Sequence, residues 1–379
     1  MKIGIVCYPT FGGSGVVATE LGKALADNGH HVHFITYNQP ARLDLFSENL
    51  FYHEVAISKY PLFDYPPYEL ALASRMVDVV RHEQLDVLHV HYAIPHASAA
   101  FMAKQILKTY GIHIPVITTL HGTDITLVGK DRTYKPVVAF SINQSDGVTA
   151  VSQHLKDDTY RFFDINRDIE VIYNFIDLKR FALKPRDHFK KAISPNGERI
   201  LVHTSNFRKV KRTEDVVRIF AKVNAEVPSR LLMVGDGQER TDCEQLCRDL
   251  GVADQVRFLG KQDAIEEILS ISDLFLMPSQ SESFGLAALE AMACKVPVIS
   301  SNVGGLPELN VEGQTGFLRD CGDVEGMAER AIYMLQDDDR LATFKENALA
   351  RAKEFDLALI LPKYEEYYRR VIEESKGKI

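Results

Sequence analysis

Four groups of residues combine reactive side chains with a spacing that would put them to use. Gly12-Gly-Ser-Gly15 follows the apolar run Ile3 to Cys7 and precedes a helical pattern. Glycines there let the backbone approach a ligand, and the following helix offers unpaired N–H groups and its positive dipole end to a phosphate. Gly13, Gly15 and Ala18 satisfy the dinucleotide spacing GxGxxA, but Thr36-Tyr-Asn-Gln39 stands where the ribose-binding acid of an NAD site is expected. A tight turn without a ligand explains the same glycines. The second group, Leu120-His-Gly-Thr-Asp124, ends another apolar run, and open parallel sheets bind ligands at that strand end. His121 and Asp124 would suit a polyhydroxylated substrate there, although a lone histidine at a strand end is commonly an ordinary polar contact.

The third group, Ser205-Asn-Phe-Arg-Lys-Val-Lys-Arg212, places four cations between a strand and a helix. They suit either a solvated face or a diphosphate leaving group whose developing charge a fixed cation would stabilise. The fourth is Glu282-Ser-Phe-Gly-Leu-Ala-Ala-Leu-Glu290. Ser283 to Gly285 reads as a helix N-terminus able to hold phosphate, Glu282 lies just outside it to accept sugar hydroxyls, and Glu290 lies about two turns inside. A carboxylate at Glu290 suits the paired hydroxyls of a ribose. His89, His91 and His96 invite a metal reading, but no matching cysteine or acid set follows, which favours burial or substrate contact. Asn302-Val-Gly-Gly-Leu-Pro-Glu308 and Gly313-Gln-Thr-Gly-Phe317 read as scaffold, and Asp337-Asp-Asp339 as a solvated helix end.

Elements that position such groups follow from the hydrophobic pattern. Apolar runs at Ile3 to Cys7, Val32 to Ile35, Val87 to Val90, Val116 to Leu120, Gly147 to Ala150 and Val171 to Ile172 alternate with helical patterns. Between Val16 and Ala26, Val17, Leu21 and Leu25 share one helix face, and Asn28-Gly29 supplies a stop. The alternation restarts at Arg199 with strands at Ile200 to His203, Leu231 to Val234, Val256 to Leu259, Leu274 to Met277 and Val298 to Ser300, and a helix at Thr213 to Val223. Two α/β halves with parallel sheets are implied, joined between about Asn174 and Gly197.

The bulk properties agree. A chain of 379 residues exceeds the usual size of one core, and 46% hydrophobic with 25% charged residues is ordinary for a globular protein. Its net charge of -8, from 44 basic and 52 acidic residues, disfavours a nucleic-acid partner. Five cysteines without paired CxxC spacing point to reduced thiols and the cytoplasm. The N-terminal run reads as a first strand rather than a signal peptide, and no apolar stretch reaches the roughly 20 residues of a membrane span.

Together, Gly12-Gly-Ser-Gly15, His121-Gly-Thr-Asp124, the Lys211 loop and Glu282-x7-Glu290 resemble the retaining glycosyltransferases of family 4, whose GT-B architecture has two facing Rossmann-like domains. Cys7-Tyr-Pro9, Tyr65-Pro-Pro-Tyr68, His91-Tyr-Ala-Ile-Pro-His96, Thr118 to Thr126, Tyr173-Asn-Phe-Ile-Asp177 and Ser205 to Arg212 are similar to the subgroup acting first in bacillithiol biosynthesis. The resemblance implies an acceptor-binding domain at residues 1–175 plus about 357–379, with the C-terminal helix crossing back to it, and a nucleotide-sugar domain at 176–356. It implies UDP-N-acetylglucosamine as donor and L-malate as acceptor, with no cofactor and no metal; a homo-oligomer is compatible with the chain.

By the same resemblance, Glu290 holds the UDP ribose, Glu282 the sugar hydroxyls, and the amides of Ser283, Phe284, Gly285 and Leu286 the diphosphate or sugar oxygens. Lys211, with Arg208, offsets charge on the leaving UDP; Gly13 and Gly15 approach it; His121 contacts the donor sugar near the reacting carbon. Many family members carry an arginine five residues before the lysine, where this chain has Asn206. Asn206 and Arg208, with Ser14, Tyr92 and Thr119, are the expected malate contacts, since a dicarboxylate needs cations and hydroxyls. Lys295 replaces a glycine usual after Ala-Cys and should affect only the turn. Asp124 is the nearest candidate for a covalent nucleophile, and attack on the face of departure is the favoured route. Other readings of the same loops are a family 4 enzyme with another acceptor, a sugar-nucleotide epimerase and a non-catalytic sensor.

Overall fold

The structure is a computed structural model that describes residues 1–10, 12–43, 47–57, 67–181 and 187–377. Two compact units divide it: Met1–Asn174 with Leu359–Ile379, and Phe175–Ala358. Residues 182–186, within the expected boundary, and Tyr65 and Pro66 of the Tyr65–Tyr68 motif lie outside the described residues.

The first unit holds a parallel sheet of β1 (Lys2–Val6), β2 (His31–Thr36), β3 (Leu50–Glu54), β4 (Val87–His91), β5 (Val116–Leu120), β6 (Gly147–Ala150) and β7 (Ile169–Val171), in the order β3-β2-β1-β4-β5-β6-β7. The strands are nearly all apolar because helices cover both faces. On one face Val6, Ile35 and Val90 pack against Leu72, Met76 and Val80 of the helix Tyr68–Glu83 and against Ala100, Ala103 and Leu107 of the helix Ser98–Thr109. On the other, the helix Gly13–Asp27 lies so close that a Cβ on Gly22 would fall 2.3 Å from the Phe34 ring. The C-terminal helix Leu357–Lys376 buries Tyr364 and Tyr368 in this unit, and Tyr367 donates to the Val148 carbonyl at 3.0 Å.

The second unit repeats the design with β8 (Arg199–Thr204), β9 (Ser229–Val234), β10 (Val256–Gly260), β11 (Leu274–Met277), β12 (Val298–Ser301) and β13 (Gly316–Arg319), in the order β10-β9-β8-β11-β12-β13. Its core joins Leu201, Met233, Leu276 and Ile299 to Val217 and Phe220 of the helix Thr213–Glu226 and to Met327 and Met334 of the helix Val324–Leu335. In both sheets the strand order reverses beside the first strand, between β1 and β4 and between β8 and β11. The loops leaving those strands diverge there and open a crevice at their carboxyl ends.

Two strands escaped the sequence reading, β3 and β13, and both are sheet edges. Gly313 to Phe317, read as a turn, is a turn followed directly by β13. Asp337 caps the helix Asp338–Lys353 by accepting from the Arg340 amide at 2.9 Å, which accounts for the acidic triplet. Lys295 takes a left-handed backbone with φ 60°, the conformation a glycine would relieve, and its Nζ pairs with Glu346 at 2.5 Å. All five cysteines are free; Cys7, Cys243, Cys247 and Cys294 are buried and Cys321 is exposed. No helix among the described residues is long and apolar enough to cross a membrane.

Candidate active site

Each sheet presents its polar groups at its own switch point. In the second unit, β8 runs into Ser205-Asn-Phe-Arg208, where Phe207 is fully buried and anchors the loop while Asn206 and Arg208 on either side of it are exposed. A short 3-10 turn, Lys209–Lys211, then brings the Lys211 ammonium to 2.5 Å from Glu282 Oε1. Glu282 follows β11, so this ion pair bridges the loops of two neighbouring strands at the point where the strand order reverses. Both side chains are largely shielded from water, 19% and 11% exposed, which strengthens their fields. Ser279 donates to the same Glu282 oxygen at 2.9 Å, and the Gln280 amide donates to the Val210 carbonyl at 2.8 Å, tying the loops together.

The helix expected after Ser283 begins at Leu286, with Gly285 before it at φ 99°. Glu290 therefore stands about one turn inside the helix, not two. Phe284 is buried and Ser283 partly exposed, so the Ser283 to Leu286 segment turns its backbone at the helix entrance. Gly304, φ 58°, abuts this segment: a Cβ there would fall 1.8 Å from the Glu282 carbonyl oxygen, and one on Gly305 would fall 2.4 Å from the Ser283 carbonyl oxygen. The stretch read as scaffold thus shapes the Glu282 loop. Gly304→Ala should destabilise the protein by about 2 kcal/mol and lower activity further than stability alone explains, because Glu282 must shift. Thermal unfolding and steady-state kinetics on the variant check both parts.

Two features here went unread in the sequence. Gly235-Asp-Gly237 follows β9, and a Cβ on Gly235 would fall 1.8 Å from the Ser205 carbonyl oxygen. The rule applied to the other strand ends would have found it. His203, on β8, donates its Nδ1–H to the Leu276 carbonyl and accepts at Nε2 from the Ser205 hydroxyl, each at 2.8 Å. Burial holds its pKa down at about 4, so it braces the basic loop as a neutral ring.

In the first unit, the loop after β1 and the residue after β4 meet at the switch point. Tyr92 donates to Ser14 Oγ at 2.6 Å from a backbone at φ 85°. Gly12 and Gly13 are exposed, while Gly15 is buried where a Cβ would fall 2.4 Å from the Thr10 carbonyl oxygen. Next to them, His121 leaves β5. Its Nε2 lies 2.8 Å from His91 Nδ1, and the other nitrogen of His91 is buried without a partner. An orphaned N–H costs more than an orphaned lone pair, so His91 donates to His121, which leaves His121 Nδ1 as the N–H donor. Burial lowers His121 to about 3, so the ring acts uncharged at neutral pH.

Asp124, the nearest candidate for a carboxyl nucleophile, is committed to backbone amides. Its Oδ2 accepts from the Ala93 amide at 2.9 Å and its Oδ1 from the Gly122 amide at 3.0 Å, and the side chain is 1% exposed. Both oxygens clamp the loops that carry Tyr92 and His121. Burial raises its pKa to about 6 despite those amides. Protonation would cancel one of the two accepted bonds, so kcat/KM should fall as pH drops through about 6, and a pH–rate profile reads this directly. The shift also fixes the sign for stability: this group favours the folded state below the 3.8 of an ordinary aspartate and withdraws that support as pH rises through about 6.

Thr119 is corrected as an acceptor contact. Its hydroxyl is fully buried between His89 Nε2 and Thr149 Oγ1, each at 2.7 Å, so it orders the sheet interior and does not face an acceptor. His89 also meets the Tyr368 hydroxyl at 2.8 Å, and His96 Nδ1 meets the His91 carbonyl at 2.5 Å. The histidines of β4 are thus engaged with protein partners, as expected of burial.

Known proteins resemble this chain in sequence and fold. The family described as Glycosyltransferase Family 4 matches residues 11–180, and Glycosyl transferases group 1 matches residues 185–351. The N-acetyl-alpha-D-glucosaminyl L-malate synthase of Bacillus anthracis is 49% identical over 382 residues, covering 100% of both chains. A D-inositol 3-phosphate glycosyltransferase of Catenulispora acidiphila is 27% identical, covering 97% of this chain and 92% of its own. Among solved structures, Anabaena HepE in complex with UDP and glucose gives a TM-score of 0.82 at 22% identity, covering 97% of this chain and 99% of its own. Sucrose-phosphate synthase from Thermosynechococcus elongatus gives 0.81 at 23%, covering 99% and 100%. These structural likenesses establish the α/β fold as that of the GT-B glycosyltransferases. With two doubly wound units, the two family matches and the full-length relative, the chain belongs to glycosyltransferase family 4.

Proposed function

We propose that this enzyme moves N-acetylglucosamine from UDP-N-acetylglucosamine to the hydroxyl of L-malate with retention at the anomeric carbon, the first step of bacillithiol biosynthesis. The observation that carries the chemistry is the shielded Lys211–Glu282 pair at the second switch point. In the second unit, Glu290 accepts the ribose hydroxyls, Glu282 accepts sugar hydroxyls, and the amides of Ser283 to Leu286 face the diphosphate. Lys211 stabilises charge as the UDP oxygen departs. In the first unit, Gly13 and Gly15 open the loop to a phosphate, and neutral His121 donates its Nδ1–H to the donor sugar.

The acceptor follows the Bacillus anthracis relative. Ser14 and Tyr92 supply hydroxyls to a dicarboxylate, and Arg208 supplies an exposed guanidinium with the Asn206 amide nearby in sequence. With Asp124 committed to backbone amides, attack on the face of departure is the favoured route: the sugar–phosphate bond breaks, the malate oxygen bonds to the anomeric carbon, and the departing phosphate takes the malate hydroxyl proton. No metal or cofactor has a part in this scheme. Five free cysteines are in keeping with a cytoplasmic setting.

The test is UDP release from UDP-N-acetylglucosamine with L-malate, with D-inositol 3-phosphate and with no acceptor. Release that requires malate is expected. Release confined to the inositol phosphate would move the enzyme to another family 4 acceptor, and conversion of the donor without any acceptor would indicate an epimerase.

A further inference from the structure

The first unit carries a cluster of metal-ligating side chains away from the loops described above. His33 on β2 and His53 on the edge strand β3 face the helix Tyr68–Glu83, whose last residue, Glu83, completes the group. One ligand atom from each of the three lies within 4.8 Å of the others. Parallel pairing of β2 with β3 sets Ile35 opposite His53, so His33 and His53 lie on one sheet face, their ring planes within 17° of each other and their centroids 5.3 Å apart. Phe51 stacks on the His33 ring with centroids 4.6 Å apart and fixes that ring. His33 Nδ1 and His53 Nε2 are 3.0 Å apart. Two neutral imidazoles at that distance share a single proton. A tetrahedral cation with bonds of about 2.05 Å sets its ligand nitrogens about 3.3 Å apart, a change of a few tenths of an ångström.

We propose that His33, His53 and Glu83 form a structural site for a divalent transition-metal cation of the zinc class, which replaces the shared proton and pins the edge strand to the helix. Two imidazoles and one carboxylate select zinc, cobalt or nickel over magnesium or calcium, and water completes the coordination. The neighbouring cations have partners of their own: Lys2 Nζ donates to the Glu83 carbonyl at 2.8 Å, and Arg75 pairs with Asp78 at 2.6 Å. That Lys2 contact lies at the amino end of β1, whereas Ser14, Tyr92 and His121 sit beyond the carboxyl ends of their strands. The cation therefore has no part in glycosyl transfer, and the site is independent of the proposed reaction.

The experiment uses the full chain after dialysis against a chelator, titrated with Zn²⁺ against a chromogenic indicator and with Co²⁺ by visible absorption. One equivalent should bind, with tetrahedral cobalt bands, and saturating Zn²⁺ should raise Tm by about 5 °C. His53→Ala and Glu83→Gln, both at partly exposed positions, should each weaken binding by at least about 10-fold and abolish the cobalt bands, with unchanged circular dichroism. Failure to bind one equivalent overturns the proposal, as does binding that both substitutions leave unchanged.

Discussion

Lys211→Ala should lower kcat by about 10²- to 10³-fold while leaving the fold intact, because it removes a fixed positive charge from the point where the leaving UDP becomes more negative. The Lys211 side chain is only 19% exposed and lies against Glu282, so solvent cannot replace it. The loss should be shared: without its ammonium partner, Glu282 keeps the Ser279 hydroxyl as its remaining described side-chain contact and no longer points one way. Lys211→Ala combined with Glu282→Ala should therefore fall well short of the product of the single effects, as for groups that act together. Rates within a few fold of wild type for Lys211→Ala would remove the lysine from the chemistry.

Glu290→Ala should weaken UDP binding by about 100-fold, measured by calorimetry with UDP alone. Hydrogen bonds to an ionised group are worth about 1.5–3 kcal/mol, and loss of the bonds to both ribose hydroxyls corresponds to roughly that factor. Glu290 lies one turn inside a helix that packs through Ala288, Leu289, Ala291 and Met292, so the substitution keeps those four apolar side chains in place. A variant with reduced transfer and unaltered UDP affinity would place the ribose elsewhere.

Much of this architecture was legible because buried parallel strands read as short apolar runs. β5, β6 and β11 coincide with Val116 to Leu120, Gly147 to Ala150 and Leu274 to Met277. The edges were not legible, for a physical reason. β3, Leu-Phe-Tyr-His-Glu, is mostly half-buried and carries polar groups, and β13 has four residues emerging from a glycine turn. The candidate loops were visible because glycines, cations and carboxylates stood directly after apolar runs. Their pairings were not, since Lys211 and Glu282 are 71 residues apart and His91 and His121 are 30 apart. Sheet order and register create those contacts: β4 lies beside β5 with His91 opposite Thr119, which carries His121 to the His91 ring. Thr119 was misjudged, and the backbone engagement of Asp124 was not visible, for a related reason. Sequence shows a hydroxyl or a carboxylate but not which backbone amides already occupy it.

Glycosyl transfer by this chain requires UDP to rest at the carboxyl edge of the second sheet. A crystal structure of the full chain with UDP tests it most directly. The ribose hydroxyls should lie on Glu290, the diphosphate beside the Lys211 ammonium and the Ser283 to Leu286 amides at its oxygens. UDP bound away from both Lys211 and Glu290 would contradict it.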